Sequence, residues 1–280
     1  MLRSIRISRA DLRPNLFDEL PIHSCNAVHL KLASSDLGPP LLSFLSEATK
    51  YNVAVHATIP LHELQGAEDL CRQDALGHRF PQHLCPSQPQ VQELWLAECQ
   101  TISAFFPWAS LEMAGLGFSG SPDFYPSICF CAACMYGYGA TGLVLEQVAR
   151  ENMEEPTEHP HPSVNTLLLW RRSVQYGILR LIHEAVPSPL CLKTAATIRY
   201  TGDRSSLSFQ EAQGLAATCL VSWTTADPQK SREERTRLES LPRPMPVYAE
   251  LPYPSDWDDS MAAAFSGAVF SFSEGTIRTE

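Results

Sequence analysis

Ser127-Ile128-Cys129-Phe130-Cys131-Ala132-Ala133-Cys134 carries three thiols in a C-x-C-x-x-C run. One disulfide cannot join all three, and such close spacing suits a small soft cation. Zinc takes four thiolates tetrahedrally in structural sites. The fourth ligand is therefore sought upstream, and Cys85, in the Pro-rich stretch His83-Leu84-Cys85-Pro86, is the best placed. Two readings follow. A closed set of four thiolates would pin two loops together. A catalytic ion with an open position would recruit a neighbour such as His83, but four sulfurs leave no vacancy for water.

Outward from the cluster, strands and helices alternate. Asn26–Leu32 and Asn52–Pro60 read as strands, the second rich in β-branched residues. Residues 39–50 read as a helix entered by proline. Residues 61–89 read as a long irregular segment, and 90–106 as a helix. A strand at 109–118 leads into the cluster. Residues 150–164 are polar and Pro-rich, a solvated excursion. Val164–Val186 is the strongest helix, with Leu167, Trp170, Val174, Ile178, Leu181 and Ala185 in one apolar stripe. Strands follow at 191–200, 217–224, 245–251 and 267–272, separated by helices near 208–214, 230–240 and 257–265. Arg3-Ser4-Ile5-Arg6-Ile7-Ser8 alternates as a further short strand.

This order implies parallel strands with helical crossovers. Seven or eight strands with no low-complexity break predict one domain over residues 1–280. The fold expected is a (β/α)8 TIM barrel whose first unit is truncated or irregular. No G-x-G-x-x-G turn follows the first strand, against a dinucleotide-binding sheet.

The chain has 280 residues, 44% of them apolar, which allows a sizeable core. Its net charge of -10 argues against nucleic acid or an anionic membrane as partner. No run approaches a membrane span, and the N-terminus lacks a signal-peptide apolar region. Nine cysteines, an odd number, suit a reducing compartment, so the expected location is cytoplasmic. A homo-oligomer is compatible with this composition. No G-x-S-x-G or H-E-x-x-H motif is present.

The cysteine arrangement resembles that of family 42 β-galactosidases and related retaining glycosidases. Those TIM barrels carry a zinc site made by one loop cysteine before the third helix and a C-x-C-x-x-C after the fourth strand. Cys85-Pro86-Ser87-Gln88-Pro89, then Cys129, Cys131 and Cys134, match that layout, and Gly77-His78-Arg79-Phe80 is similar to the family's approach to the loop. The likeness spans residues 50–185. It implies a structural zinc, a carbohydrate ligand, and a nucleophile at the end of the seventh strand, where Glu250 stands. The family's Asn-Glu pair at the end of the fourth strand is missing; Leu111-Glu112 stands on that strand instead, as in uncharacterised barrel proteins with the same cysteine motif.

Glu112 is nevertheless the candidate acid/base. On the barrel's inner face, desolvation would raise its pKa as a general acid requires. The competing reading is a structural carboxylate tied to an arginine such as Arg199. Glu112 and Glu250 about 5–5.5 Å apart would give retaining hydrolysis. His56, Arg199, Tyr200, Trp223 and Tyr253 are the candidate sugar-binding residues, with Asp203, Trp257 and Glu274 near them at the strand ends. Trp223 and Tyr253 would stack on a ring. Three functions follow: a retaining glycosidase, a carbohydrate-binding barrel that has lost its acid/base, and, more weakly, a metal-assisted hydrolase using His83.

Overall fold

A computed structural model describes residues 2–8, 12, 16–19, 26–64, 68–114, 116, 129–142, 144, 147–148, 162–195, 212–222, 245–251 and 265–271. In chain order the elements are β1 (Leu2–Ile7), α1 (Leu16–Glu19), β2 (Ala27–Lys31), α2 (Pro39–Lys50), β3 (Ala54–Pro60), β4 (Cys71–Gln73), β5 (Arg79–Leu84), α3 (Pro89–Phe105), β6 (Ser110–Ala114), α4 (Ala132–Gly139), α5 (Pro162–Ala185), β7 (Leu190–Ala195), β8 (Thr218–Ser222), β9 (Val247–Leu251) and β10 (Gly267–Ser271).

All strands except β4 and β5 pair in parallel, in the order β1-β2-β3-β6-β7-β8-β9-β10, and β10 returns to β1. The sheet therefore curls until it has no free edge. Helices cross over after β1, β2, β3 and β6. The connections after β7, β8 and β9, with the helices expected near 230–240 and 257–265, lie largely outside the described residues. The first unit has a full strand: β1 pairs with both neighbours, and the irregularity falls on α1, which is four residues long.

Local sequence explains the sound parts. Pro39 opens α2, where its missing N–H costs nothing. Asn52, at φ 55°, closes it: Val53 N reaches back to Ala48 O (2.9 Å) and Asn52 N to Thr49 O (3.2 Å). This Schellman turn satisfies the last carbonyls and delivers the chain directly into β3. Alternation along the strands then separates two environments. Ile5, Ile7, Val28, Leu30, Val55, Ala57, Ile59, Leu111, Met113, Leu190, Leu192, Val247 and Ala249 belong to the large apolar core shared with the helices. Ser4, Arg6, His29, His56, Thr58, Ser110 and Glu112 occupy the alternate positions.

Two expectations need correction. The segment read as irregular contains regular structure: β4 and β5 form an antiparallel hairpin, its register shifted between Cys71 and Arg72. Arg79-Phe80-Pro81-Gln82-His83-Leu84 has no β-branched residue, only Phe80 among the strand-favouring types, and a proline, so propensity gave little strand signal there. The apolar stripe of α5 is also rotated. Leu167, Ile178, Leu179 and Ile182 are buried, whereas Leu181 is 42% exposed and Arg171 and Gln175 are buried. Residues 171 and 175 follow 167 at four-residue steps, so they continue the inner face.

Candidate functional site

The four predicted cysteines come together. Cys85 follows β5, Cys129 and Cys131 precede α4, and Cys134 lies in its first turn. Their sulfurs all lie within 4.8 Å of one another and all four residues are buried. Cys85 Sγ is 3.4 Å from Cys134 Sγ and 3.6 Å from Cys131 Sγ. A tetrahedral tetrathiolate with metal–sulfur bonds of about 2.3 Å has sulfurs about 3.8 Å apart, so this donor set fits one such ion with little adjustment. Outer partners are in place as well. Gln73 N–H points at Cys129 Sγ (3.4 Å), and Ser87 Oγ is 3.3 Å from Cys134 Sγ. His83 is not part of the cluster.

Around the sulfurs, Tyr138, Val148 and Leu167 are packed, with Phe130, Trp170 and Val174 against them. Phe130 N donates to Gln73 O (2.8 Å) and Cys85 N to Leu70 O (3.0 Å). The cluster thus joins the β4–β5 hairpin to the segment that starts α4. Gly137 is needed for this packing, because a Cβ there would lie 2.5 Å from Trp170 Cζ2.

A second polar assembly fills one side of the barrel interior. Arg6 Nη2 donates to both carboxylate oxygens of Glu112 (2.8 and 2.9 Å), and Arg6 Nη1 donates to Thr58 Oγ1 (3.0 Å). Thr58 Oγ1 donates its own hydrogen bond to Glu112 Oε2 (3.0 Å). His29 Nδ1 is 2.9 Å from the same oxygen; an ionised carboxylate only accepts, so this nitrogen carries the proton. Glu112 is fully buried. Burial pushes its carboxyl up, but the Arg6 guanidinium and then His29 outweigh that and hold it well below the usual carboxylate range. The expected upward displacement is therefore reversed, and the arginine that ties Glu112 is Arg6.

His29 stacks on His56, centroids 4.5 Å apart and planes 12° from parallel. His56 Nδ1 shares a proton with Ser110 Oγ (2.8 Å). Burial first, then the neighbouring His29, push His56 down to about 3, with Glu112 opposing, so the ring is neutral at pH 7. Its Nε2 is buried and has no hydrogen-bond partner among the described residues. Elsewhere on the strands Cys191 and Val269 are buried, with Tyr248 packed against them.

Glu250 lies in β9, in register with Ser222 and Val269, alternating with the core residues Ala249 and Leu251. Arg199, Tyr200, Trp223 and Tyr253, like Asp203, Trp257 and Glu274, lie outside the described residues. Sequence reasoning missed Arg6, His29, Thr58, Arg72 and Arg171. The first two had a signal: ionisable residues at alternate positions of short strands.

No model of a known protein family matches the sequence, and no curated protein does. The family 42 likeness therefore rests on the cysteine spacing. Solved structures do match the fold. The glycoside hydrolase domain of PgaB (BpsB) from Bordetella bronchiseptica superposes with a TM-score of 0.66 at 11% identity, over 96% of this chain and 94% of that one. Alpha-L-fucosidase isoenzyme 2 from Paenibacillus thiaminolyticus gives 0.59 at 14% identity, over 96% of this chain and 46% of that one. A beta-N-acetylhexosaminidase from Bacteroides fragilis gives 0.51 at 10% identity, over 97% and 61%. The fold is thus that of glycoside-hydrolase barrels. Among the described residues no helix is long and apolar enough to cross a membrane.

Proposed function

We propose that this chain is a single (β/α)8 domain of the glycoside-hydrolase kind that binds carbohydrate at the C-terminal rim of its strands, with a structural zinc held by Cys85, Cys129, Cys131 and Cys134. The observation that carries the binding reading is the Nε2 of His56, which has no hydrogen-bond partner among the described residues and is set in a charged inner layer where an ordinary barrel packs branched aliphatics. A sugar hydroxyl is a partner of suitable chemistry, and it requires binding to open the layer that closes this nitrogen to solvent. Arg199, Tyr200, Trp223 and Tyr253 are the rim residues assigned to the sugar. The fold of PgaB's glycoside hydrolase domain, matched over nearly both whole chains, supports the same reading.

In this reading Glu112 anchors Arg6 and His29. A buried carboxylate held ionised by three partners has no proton to give a leaving group. Retaining hydrolysis, with Glu112 as acid/base and Glu250 as nucleophile, is the second reading. The position of Glu250 near the end of the seventh barrel strand favours it, but it requires substrate to dislodge Arg6 from Glu112.

A panel of N-acetylhexosaminides, α-L-fucosides and β-galactosides tests both, by calorimetric binding and by release of a chromogenic aglycone. The binding reading expects an affinity that His56→Ala lowers about tenfold, one lost hydrogen bond, and no turnover that depends on Glu250. Turnover abolished by Glu250→Gln establishes the hydrolase instead. An absence of binding across the panel rejects both.

A further inference from the structure

Glu112 accepts from Arg6, Thr58 and His29 and holds no proton, but its bond to His29 fixes where that ring can carry one. His29 Nδ1, 2.9 Å from Glu112 Oε2, is the protonated nitrogen because an ionised carboxylate only accepts. The neutral ring therefore keeps its lone pair on Nε2. The protonated ring carries its exchangeable proton on the same atom, with the carboxylate stabilising the imidazolium. The stack on His56 and the burial of His29 hold the plane of the ring. Among the described residues nothing bonds to Nε2 of His29. A carboxylate that sets the tautomer of an imidazole, with the far nitrogen unengaged, is the arrangement of a proton-transfer pair. Position in the barrel suits the role. Around the closed sheet, β2 is three strands from β9 by way of β1 and β10, and β6 is three strands from β9 by way of β7 and β8. His29 is two residues from the C-terminal end of its strand, as Glu112 is of its own. In strand order and in height along its strand, His29 thus stands to Glu250 as Glu112 does.

We propose that His29 is the acid/base residue of this barrel, acting on a glycosidic bond with Glu250 as nucleophile, and that Glu112 is its positioning residue. The proposal rests on the hydrolase reading given above and removes its obstacle, because substrate need not dislodge Arg6 from Glu112. In the first step Nε2–H of the His29 imidazolium goes to the glycosidic oxygen. The bond between that oxygen and the anomeric carbon breaks with its electron pair passing to oxygen, and a Glu250 carboxylate oxygen bonds to the carbon. In the second step water attacks the same carbon, its proton passes to Nε2, and the bond from Glu250 to the carbon breaks. The imidazolium and the carboxylate are both restored.

The test uses the full chain and the same sugars in two forms: dinitrophenyl glycosides, whose phenolate leaves without a proton, and methyl glycosides, whose alkoxide does not. His29→Asn keeps an amide N–H at the place of Nδ1 and deletes Nε2. Circular dichroism checks folding, and His29→Gln stands in if the asparagine variant does not fold. The expected result is a kcat/KM lowered about 100-fold or more for the methyl glycoside and by less than about tenfold for the dinitrophenyl one. Added azide, which needs no base, should restore turnover of the dinitrophenyl glycoside and release glycosyl azide. Thr58→Val, which removes another donor to the same carboxylate oxygen, should lower both substrates by one common factor. A His29→Asn loss that is equal for the two leaving groups makes His29 a structural donor and overturns the proposal while the hydrolase reading stands. A leaving-group split confined to Glu112→Gln returns the acid role to Glu112 and also overturns it. Wild-type chain that turns over no dinitrophenyl glycoside of the panel overturns the hydrolase reading, and the role of His29 falls with it.

Discussion

Glu112→Gln is the sharpest perturbation of the barrel interior. The substitution keeps the size of the side chain and removes its charge. Arg6, whose side chain is 17% exposed, then faces a neutral amide at a fully buried position. The amide's own N–H groups also point at donors, because Arg6, His29 and Thr58 all direct protons at this carboxylate. Breaking one partner out of a buried ion pair costs about 3–5 kcal/mol. For a chain of this size each kcal/mol moves the melting temperature by roughly 2–4 °C, so the expected fall is roughly 6–20 °C at pH 7. Thermal denaturation followed by circular dichroism measures it. The double change Arg6→Met with Glu112→Leu should be less damaging than the two single changes summed, by about 1–3 kcal/mol, since no charge is left stranded. A Glu112→Gln melting temperature within about 2 °C of wild type would refute the buried-anchor reasoning, and an additive double variant would do the same.

Other consequences follow from the same geometry. His56, pushed down to about 3 in the fold and near 6.5 when unfolded, favours the fold above pH 6.5, and that contribution is lost as pH falls toward 3. Between about pH 4.5 and 6 the stability should drop by roughly 1.4 kcal/mol per pH unit from this group; urea titrations should show a shallower slope for His56→Gln. Cys134→Ser, or prolonged chelation, should free the hairpin from α4 and expose residues 71–89 to protease, read by mass mapping of the fragments; unchanged cleavage would separate the hairpin's order from the cluster. Gly137→Ala should cost about 1–3 kcal/mol, because its methyl group needs the space held by Trp170, and Trp170→Leu in the same chain should restore most of it.

Much of this fold is legible along the chain because its signals are local. Proline at the start of α2 and α3, β-branched residues in β3, and three thiols in six positions each state their structure within one or two turns. The pairing of Cys85 with that trio was readable too, since metal chemistry demands a fourth donor whatever lies between. The hairpin within 71–84 was not legible, because its strands are held by partners in the fold and contain few strand-favouring residues. Nor was the inward face of α5, where Arg171 and Gln175 are buried; periodicity counts apolar residues and places charge outside.

By itself the sequence determined the alternation of strands and helices, the four sulfurs and the candidate carboxylates, each from residue type and spacing. Only the tertiary structure decided what state those groups hold. Glu112 belongs to β6, Arg6 to β1, His29 to β2 and Thr58 to β3, and they meet only because the sheet closes. Protonation and charge balance depend on distances across that closure, where an arginine 106 positions away and a histidine together outweigh burial and make an expected proton donor into an ionised anchor.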